Sequence, residues 1–272
     1  MRQRKGVGKL MEASGRTSVN ERTKIYHVVL FDYGSSLYVF FKGCNFACRG
    51  CILKSTPWDC HIPKEDVRRL SSLDIELLRT LTLSELERIV VATSVKSAVL
   101  GGGEPTVDPS LPRVIELFKD YGVHTVLLTN GHALDEKLTT RLEAAGLNEV
   151  CVSIKAVTEE IHERYTGKSN RKVLRNFKFL RRSKMELRAE TVLIPGLVER
   201  DEVEKIAAFI ASIDKSIPLR IDGYTAIPHA EWRSATPSEV LDAVKSAKKH
   251  LKNVSCLHCE VPIKGNVVCV YP

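Results

Sequence analysis

The chain has 272 residues, 43% of them hydrophobic and 27% charged, the composition of a globular protein and enough length for one α/β barrel of about 250 residues to close a core. No apolar run reaches the ~18 residues that a membrane-spanning helix needs, which excludes an integral helical membrane protein. The excess of 41 Lys and Arg over 33 Asp and Glu is spread in small clusters such as Arg181, Arg182 and Lys184, the pattern of solvated helix faces. Nucleic acid is permitted as a partner but not indicated.

In chain order, residues 1–24 form a basic, polar segment with no apolar stretch and no small-residue cleavage site, so a flexible tail on a cytoplasmic protein is expected. SLYVFF (36–41) reads as a strand leading into a cysteine-rich loop. Residues 52–81 then interrupt the pattern. From about residue 82, β-rich and helix-period segments alternate, as in parallel strands joined by crossover helices. The strands are SAVLGG (97–102), HTVLLTN (124–130), EVCVSIKA (149–156), ELRAETVLIP (186–195) and PLRIDGYTAI (218–227), each apolar enough to be covered on both faces. LPRVIELFKDYG, DEKLTTRLEAAG and RDEVEKIAAFIASID carry apolar residues at helical spacing, and the first two end in glycine. Six strands predict an α/β fold, a partial, open (β/α)6 TIM-like barrel over residues 25–251. A cysteine-containing extension, 252–272, belongs to the same domain and is expected to turn as a hairpin at Lys264, Gly265 and Asn266.

Eight cysteines in a cytosolic chain point to metal binding or redox chemistry more than to disulfides. GCNFACRGC places Cys44, Cys48 and Cys51 on one loop, close enough for three thiolates to grip one compact metal centre. Three thiolates leave one iron of a 4Fe-4S cubane open to an exogenous ligand; with another ligand they equally make a closed zinc site. The next strand ends in Gly101, Gly102, Gly103, Glu104, Pro105 and Thr106. Here the backbone can approach a bound amino acid or nucleoside, and Glu104 offers a carboxylate for an ammonium group; a tight strand-to-helix turn explains the same glycines.

The cysteine triplet followed one strand later by GGGEPT resembles the radical S-adenosylmethionine (SAM) superfamily. The resemblance implies a 4Fe-4S cluster on Cys44, Cys48 and Cys51, SAM chelating the open iron, and Gly102, Gly103 and Glu104 holding its amino end. Electron transfer from the reduced cluster would cleave SAM to a 5′-deoxyadenosyl radical that abstracts hydrogen from a substrate. FDYGSSLYVFFKGC, LLTNG (127–131), SIKAVTEEIHERYTG (153–167), VLIPGL (192–197) and IPHAEW (227–232) are similar to the pyruvate formate-lyase activating enzyme branch. That likeness implies Lys155 and His229 near the cofactor, with Asn130 beside them at a strand end. It implies a glycyl-radical enzyme as protein substrate and an electron donor such as ferredoxin or flavodoxin. Radical modification of tRNA or another substrate using an auxiliary cluster, and a non-catalytic iron-sulfur or zinc protein, are the alternatives.

Several positions depart from that branch. Gly50 stands where an aromatic residue usually touches adenine, which leaves Phe46 as a substitute. Ile52 replaces an asparagine. Leu128 and Ser153 replace aspartates linked to a monovalent cation, so no such cation is expected. At the C-terminus Cys256, Cys259 and Cys269, with Cys60 and His61 added, are candidate ligands of an auxiliary iron-sulfur cluster or zinc ion, or else small buried thiols. Cys151, inside an apolar strand, is expected in the core.

Overall fold

The computed structural model describes residues 21–262 and 264–272; the tail up to residue 20 lies outside them. Strand β1 (Ile25–Phe31) pairs antiparallel with β2 (Ser36–Phe41). Then come β3 (Ser97–Gly102), β4 (His124–Thr129), β5 (Glu149–Ser153), β6 (Glu186–Leu193), β7 (Leu219–Gly223) and β8 (Val254–Leu257). From β3 to β8 each strand runs parallel to the one before it. β9 (Val267–Tyr271) pairs antiparallel with the outer side of β1, giving one nine-stranded sheet of order β8-β7-β6-β5-β4-β3-β2-β1-β9.

The six strands expected from the sequence are β2 to β7, and β8 adds a seventh parallel strand. The expected C-terminal hairpin does not form: β8 and β9 occupy opposite edges of the sheet. The short apolar runs at 254–257 and 267–271 each find a partner strand already exposing an unpaired edge, β7 and β1, rather than each other. Their connection also fixes the shape. Ten Cα steps from Leu257 to Val267 reach at most about 36 Å, whereas the edges of a flat nine-stranded sheet would stand about 38 Å apart. The sheet therefore curls into an open barrel.

The helices that connect the parallel strands lie on the convex face. α1 (Lys64–Leu70) belongs to the interrupting segment; α2 (Leu83–Thr93), α3 (Leu111–Asp120), α4 (Glu136–Ala145), α5 (Glu159–Thr166), α6 (Arg171–Leu180), α7 (Arg200–Ala211) and α8 (Pro237–Ala247) connect the parallel strands. Their ends carry the expected local chemistry. Thr82 and Glu85 close a capping box on α2, Thr236 and Glu239 do so on α8, and Asp135 accepts from Leu138 N at the start of α4. Gly146 ends α4 at φ +98°, a left-handed conformation that a side chain would strain. The apolar stripes meet alternate strand residues: Leu100, Leu127, Val150, Ala189 and Leu219 sit in one core with Leu111, Ile115, Phe118, Phe177 and Ile206. Each such side chain contributes about 1.5–3 kcal/mol by leaving water.

The concave face does not match the expectation of apolar cover on both sides. Strands β5 to β7 alternate apolar and polar residues, and the register sets Leu128, Cys151 and Arg188 side by side, then Ser153, Glu190 and Arg220, then Val192 and Asp222. Those polar residues share the face away from the helices. Residues 52–78 instead pack over β1, β2 and β9, where Trp58, Ile62 and Leu70 form a second core with Tyr26, Val29, Phe40 and Val267.

Candidate active site

Because β2 to β7 are parallel, their C-terminal ends share one rim of the barrel. The cysteine loop follows β2, Glu104 follows β3, Asn130 follows β4, Lys155 follows β5, Gly196 follows β6 and Tyr224 follows β7. A hollow of about 430 Å³ lies away from this rim: Arg181, Met185, Asp214 and Pro218 line it at the N-terminal ends of β6 and β7.

The cysteine loop is fastened from two sides. Ala47 N donates to Thr166 O at 3.0 Å and Arg49 N to Tyr165 O at 2.9 Å, tying the loop to the end of α5. Asn130 Nδ2 donates to Asn45 Oδ1 at 2.6 Å and to Cys44 Sγ at 3.8 Å, while Phe46 N donates to Cys44 Sγ at 3.3 Å. Asn130 thus orients the loop directly, and Asn45 is its partner, a residue the sequence did not single out. Cys44 is exposed; Cys48 and Cys51 are half-buried. Burial pushes the Cys48 thiol up to about 11 and raises Cys44 as well, with the Lys155 ammonium pulling both down. Lys155 Nζ donates to Ser153 Oγ at 2.5 Å, which holds its charge at the rim.

The donor set suits an iron-sulfur cluster better than one zinc ion. Ligand sulfurs around a tetrahedral zinc lie about 3.8 Å apart. Among the described residues, a single group of three Cys, His, Asp or Glu donors falls within 4.8 Å of one another, and it is Asp59, Cys60 and His61, not the three cysteines of the loop. A cubane held at its corners needs the wider spacing and takes thiolate ligands.

The glycines of GGGEPT have a packing reason of their own. A Cβ on Gly103 would collide with the carbonyl oxygens of Phe41 and Gly43, and one on Gly102 would lie 2.9 Å from Phe40 Cα at a φ of +78°. Gly103 N donates to Phe41 O at 3.0 Å and Glu104 N to Gly43 O at 2.8 Å, so this turn is knitted to the start of the cysteine loop. Glu104 is 1% exposed. Its carboxylate accepts from Thr106 N (3.1 Å), Thr106 Oγ1 (2.6 Å), Thr129 Oγ1 (2.7 Å) and Asn130 N (2.7 Å). Burial raises its carboxyl despite these donors. Glu104 therefore locks the ends of β3 and β4 together beneath the loop.

The space left by Gly50 belongs to tyrosines: a Cβ there would stand 3.0 Å from Tyr224 and 3.2 Å from Tyr165. Phe46 is not free to stand in for the missing ring. It is buried, with the rings of His132 and His162 against it at 5.4 and 5.5 Å. Cys151 is not a core residue. It faces the concave side between Leu128 and Arg188, and burial with the nearby Glu190 carboxylate pushes its thiol up to about 12. Arg220 there donates to Glu190 Oε2 at 2.6 Å and to Asp222 Oδ2 at 3.0 Å, and burial pushes Asp222 up to about 6. This acid–base row was readable as period-two polarity in β5, β6 and β7.

The remaining sequence candidates scatter. His229 is exposed on the loop after β7 at φ +64°. Cys256 lies on β8, packed toward the helix-side core, and Cys259 is exposed in the connection beyond. Cys269 lies on β9, where its Sγ donates to Pro272 O at 3.1 Å and accepts from Arg69 Nη2 at 3.5 Å. Cys60 is grouped with Asp59 and His61.

An open parallel barrel with a three-cysteine loop at its C-terminal rim, backed by a glycine turn, defines a class, and the radical SAM superfamily profile matches residues 38–210. The chain belongs to the radical SAM superfamily and is an enzyme of that type, using SAM and a 4Fe-4S cluster. Among relatives, it is 34% identical over 85% of its length, and 83% of the other's, to a Methanocaldococcus jannaschii protein assigned as a glycyl-radical enzyme activating enzyme. It is 25% identical to the pyruvate formate-lyase 1-activating enzyme of Escherichia coli strain K12, covering 79% of this chain and 85% of that one. Its fold is similar to that of a radical SAM methyltransferase from Sphaerobacter thermophilus, with TM-score 0.62 and 15% identity over 86% of this chain and 70% of that one.

Proposed function

We propose that this protein activates a glycyl-radical enzyme in the cytoplasm, with a ferredoxin- or flavodoxin-type protein as electron donor. The observation that carries the reading is the 34% identity, sustained over 85% of the chain, to a protein assigned to that activity. Cys44, Cys48 and Cys51 would hold the cluster. When bound, the cluster and SAM supply a 5′-deoxyadenosyl radical for hydrogen abstraction. The rest is the work of the chain. Asn130 and Glu104 hold the loop in register with the rim, the Lys155 ammonium faces the thiolates, and Tyr165 and Tyr224 pack at Gly50 between the second and third cysteines. The polar concave half, with Glu190, Arg220 and Asp222, is left for the backbone and side chains of an entering peptide.

The test is anaerobic electron paramagnetic resonance. The reconstituted protein, SAM, dithionite and the glycyl-radical polypeptide of the same source should develop a backbone glycyl radical on that polypeptide, lost with Cys51→Ala. Release of 5′-deoxyadenosine with no radical on the polypeptide would overturn the assignment.

A further inference from the structure

Asp59, Cys60 and His61 follow Trp58 in the segment that covers the β1–β2–β9 half of the concave face. Three different metal-binding chemistries stand in a row here, and the fold turns all of them to one point. Asp59 Oδ1 lies 3.1 Å from His61 Nδ1, Cys60 Sγ lies 3.6 Å from the same nitrogen and 3.4 Å from His61 Nε2, and one donor atom from each residue falls within 4.8 Å of the others. A tetrahedral zinc, with bonds of about 2.0–2.1 Å to nitrogen or oxygen and about 2.3 Å to sulfur, keeps its ligand atoms about 3.3–3.8 Å apart. The two spacings to His61 Nδ1, 3.1 and 3.6 Å, straddle the lower end of that range, in contrast to the looser set in the cysteine loop.

The surroundings hold this point still. His61 N donates to Asp59 Oδ1 at 2.8 Å, bending the chain so that side chains 59 and 61 meet. Trp58 and Ile62, 4% and 6% exposed, anchor the turn on both sides, and the Tyr26 hydroxyl donates to Pro57 O at 2.5 Å just before it. The Phe31 ring stands edge-on to His61 at 6.2 Å. Asp59 itself is 5% exposed, whereas Cys60 and His61 open to solvent. A carboxylate buried against a thiol and an imidazole gives a hard-to-intermediate donor set of mixed O, S and N character, which suits zinc and other borderline divalent ions.

We infer that Asp59, Cys60 and His61 form a mononuclear divalent-metal site of zinc type, with Asp59 Oδ1, Cys60 Sγ and His61 Nδ1 as ligands and the fourth position open to water or a substrate group. The site is separate from the radical SAM cluster and does not draw on Cys256, Cys259 or Cys269. Three protein ligands and one open position are the arrangement of zinc sites that bind a reacting or substrate group, as opposed to the closed four-ligand sites of structural zinc.

The experiment titrates the full chain carrying Cys44→Ala, Cys48→Ala and Cys51→Ala, which removes the cluster ligands, with Co²⁺ and then Zn²⁺. The expected result is about one tightly held ion per chain, with the thiolate-to-cobalt charge-transfer band and the intense visible bands of four-coordinate cobalt, displaced by zinc. Adding Cys60→Ala should abolish the charge-transfer band, and adding His61→Ala should weaken binding at least tenfold; both positions are exposed, and circular dichroism checks that the fold is kept. Cys256→Ala with Cys259→Ala should leave the titration unchanged. Absence of a saturable cobalt site, survival of the charge-transfer band in the Cys60→Ala chain, or its loss in the Cys256→Ala, Cys259→Ala chain would each overturn the inference.

Discussion

The two halves of the concave face are built on the same sheet and meet opposite fates. Over β1, β2 and β9 the chain fills the face itself, with Trp58, Ile62 and Leu70 buried against Tyr26, Val29 and Phe40. Over β5 to β7 the corresponding positions carry Cys151, Ser153, Arg188, Glu190, Arg220 and Asp222, and among the described residues no second apolar layer covers them. A ligand therefore has room over the polar half. The filled half contributes stability, and the polar half, adjoining the cysteine loop and Lys155, holds charges that a bound molecule can engage.

Truncating the filled half should cost most in stability. Trp58→Ala opens a cavity and should destabilise by about 3–5 kcal/mol, read as a fall in the denaturant midpoint, while activity per folded molecule changes little. Arg220→Ala should do the reverse. It strips the cation from Glu190 and Asp222, but Arg220 is half-exposed, so solvent screening limits the stability loss to about 1–2 kcal/mol. Turnover should fall by more than that loss explains. Equal stability costs in the two variants would break the contrast.

His27 sharpens the same comparison through pH. It is fully buried beside Trp58 and Phe40, its Nδ1 is 2.7 Å from Tyr271 O, and burial pushes it down to about 4. The folded state thus resists the proton that the unfolded chain accepts near pH 6.5, so the contribution of neutral His27 is present above that pH and is lost as pH falls toward 4. Relative to His27→Asn, the wild type should lose up to about 3 kcal/mol between pH 7 and pH 4. A pH-independent difference would show that the imidazole does not titrate with folding. The smallest effect belongs to Gly50→Ala. Its Cβ must displace Tyr224 and Tyr165 by a few tenths of an ångström, a cost of about 1 kcal/mol that should appear as slower SAM cleavage at unchanged cluster content.

Much of this was legible in the sequence because the signals are local. The apolar runs of β2 to β7, the stripes of α3, α4 and α7, and the spacing of Cys44, Cys48 and Cys51 are each set within a few residues. What escaped depends on distant partners. Nothing near residue 254 or 267 says that β8 and β9 will separate to opposite edges, since that choice is made by β7 and β1. Glu104 read as an open carboxylate because two of its donors, Thr129 and Asn130, lie about 25 residues further on, although Thr106, which supplies the other two bonds, is local. Gly50 read as a missing ring because Tyr165 and Tyr224 come from other parts of the barrel. The polar alternation of Glu149, Cys151 and Ser153 and of Arg188 and Glu190 was in plain view, and the neighbouring Val150 and Val152 outweighed it.

The cysteine loop supports radical SAM chemistry, and its direct readout is SAM cleavage. Under anaerobic conditions, reconstituted wild-type protein with dithionite and SAM should release 5′-deoxyadenosine and methionine, and the Cys48→Ala protein should release none. A wild-type protein with a full cluster that leaves SAM intact, or a Cys48→Ala protein that still cleaves it, would contradict the account.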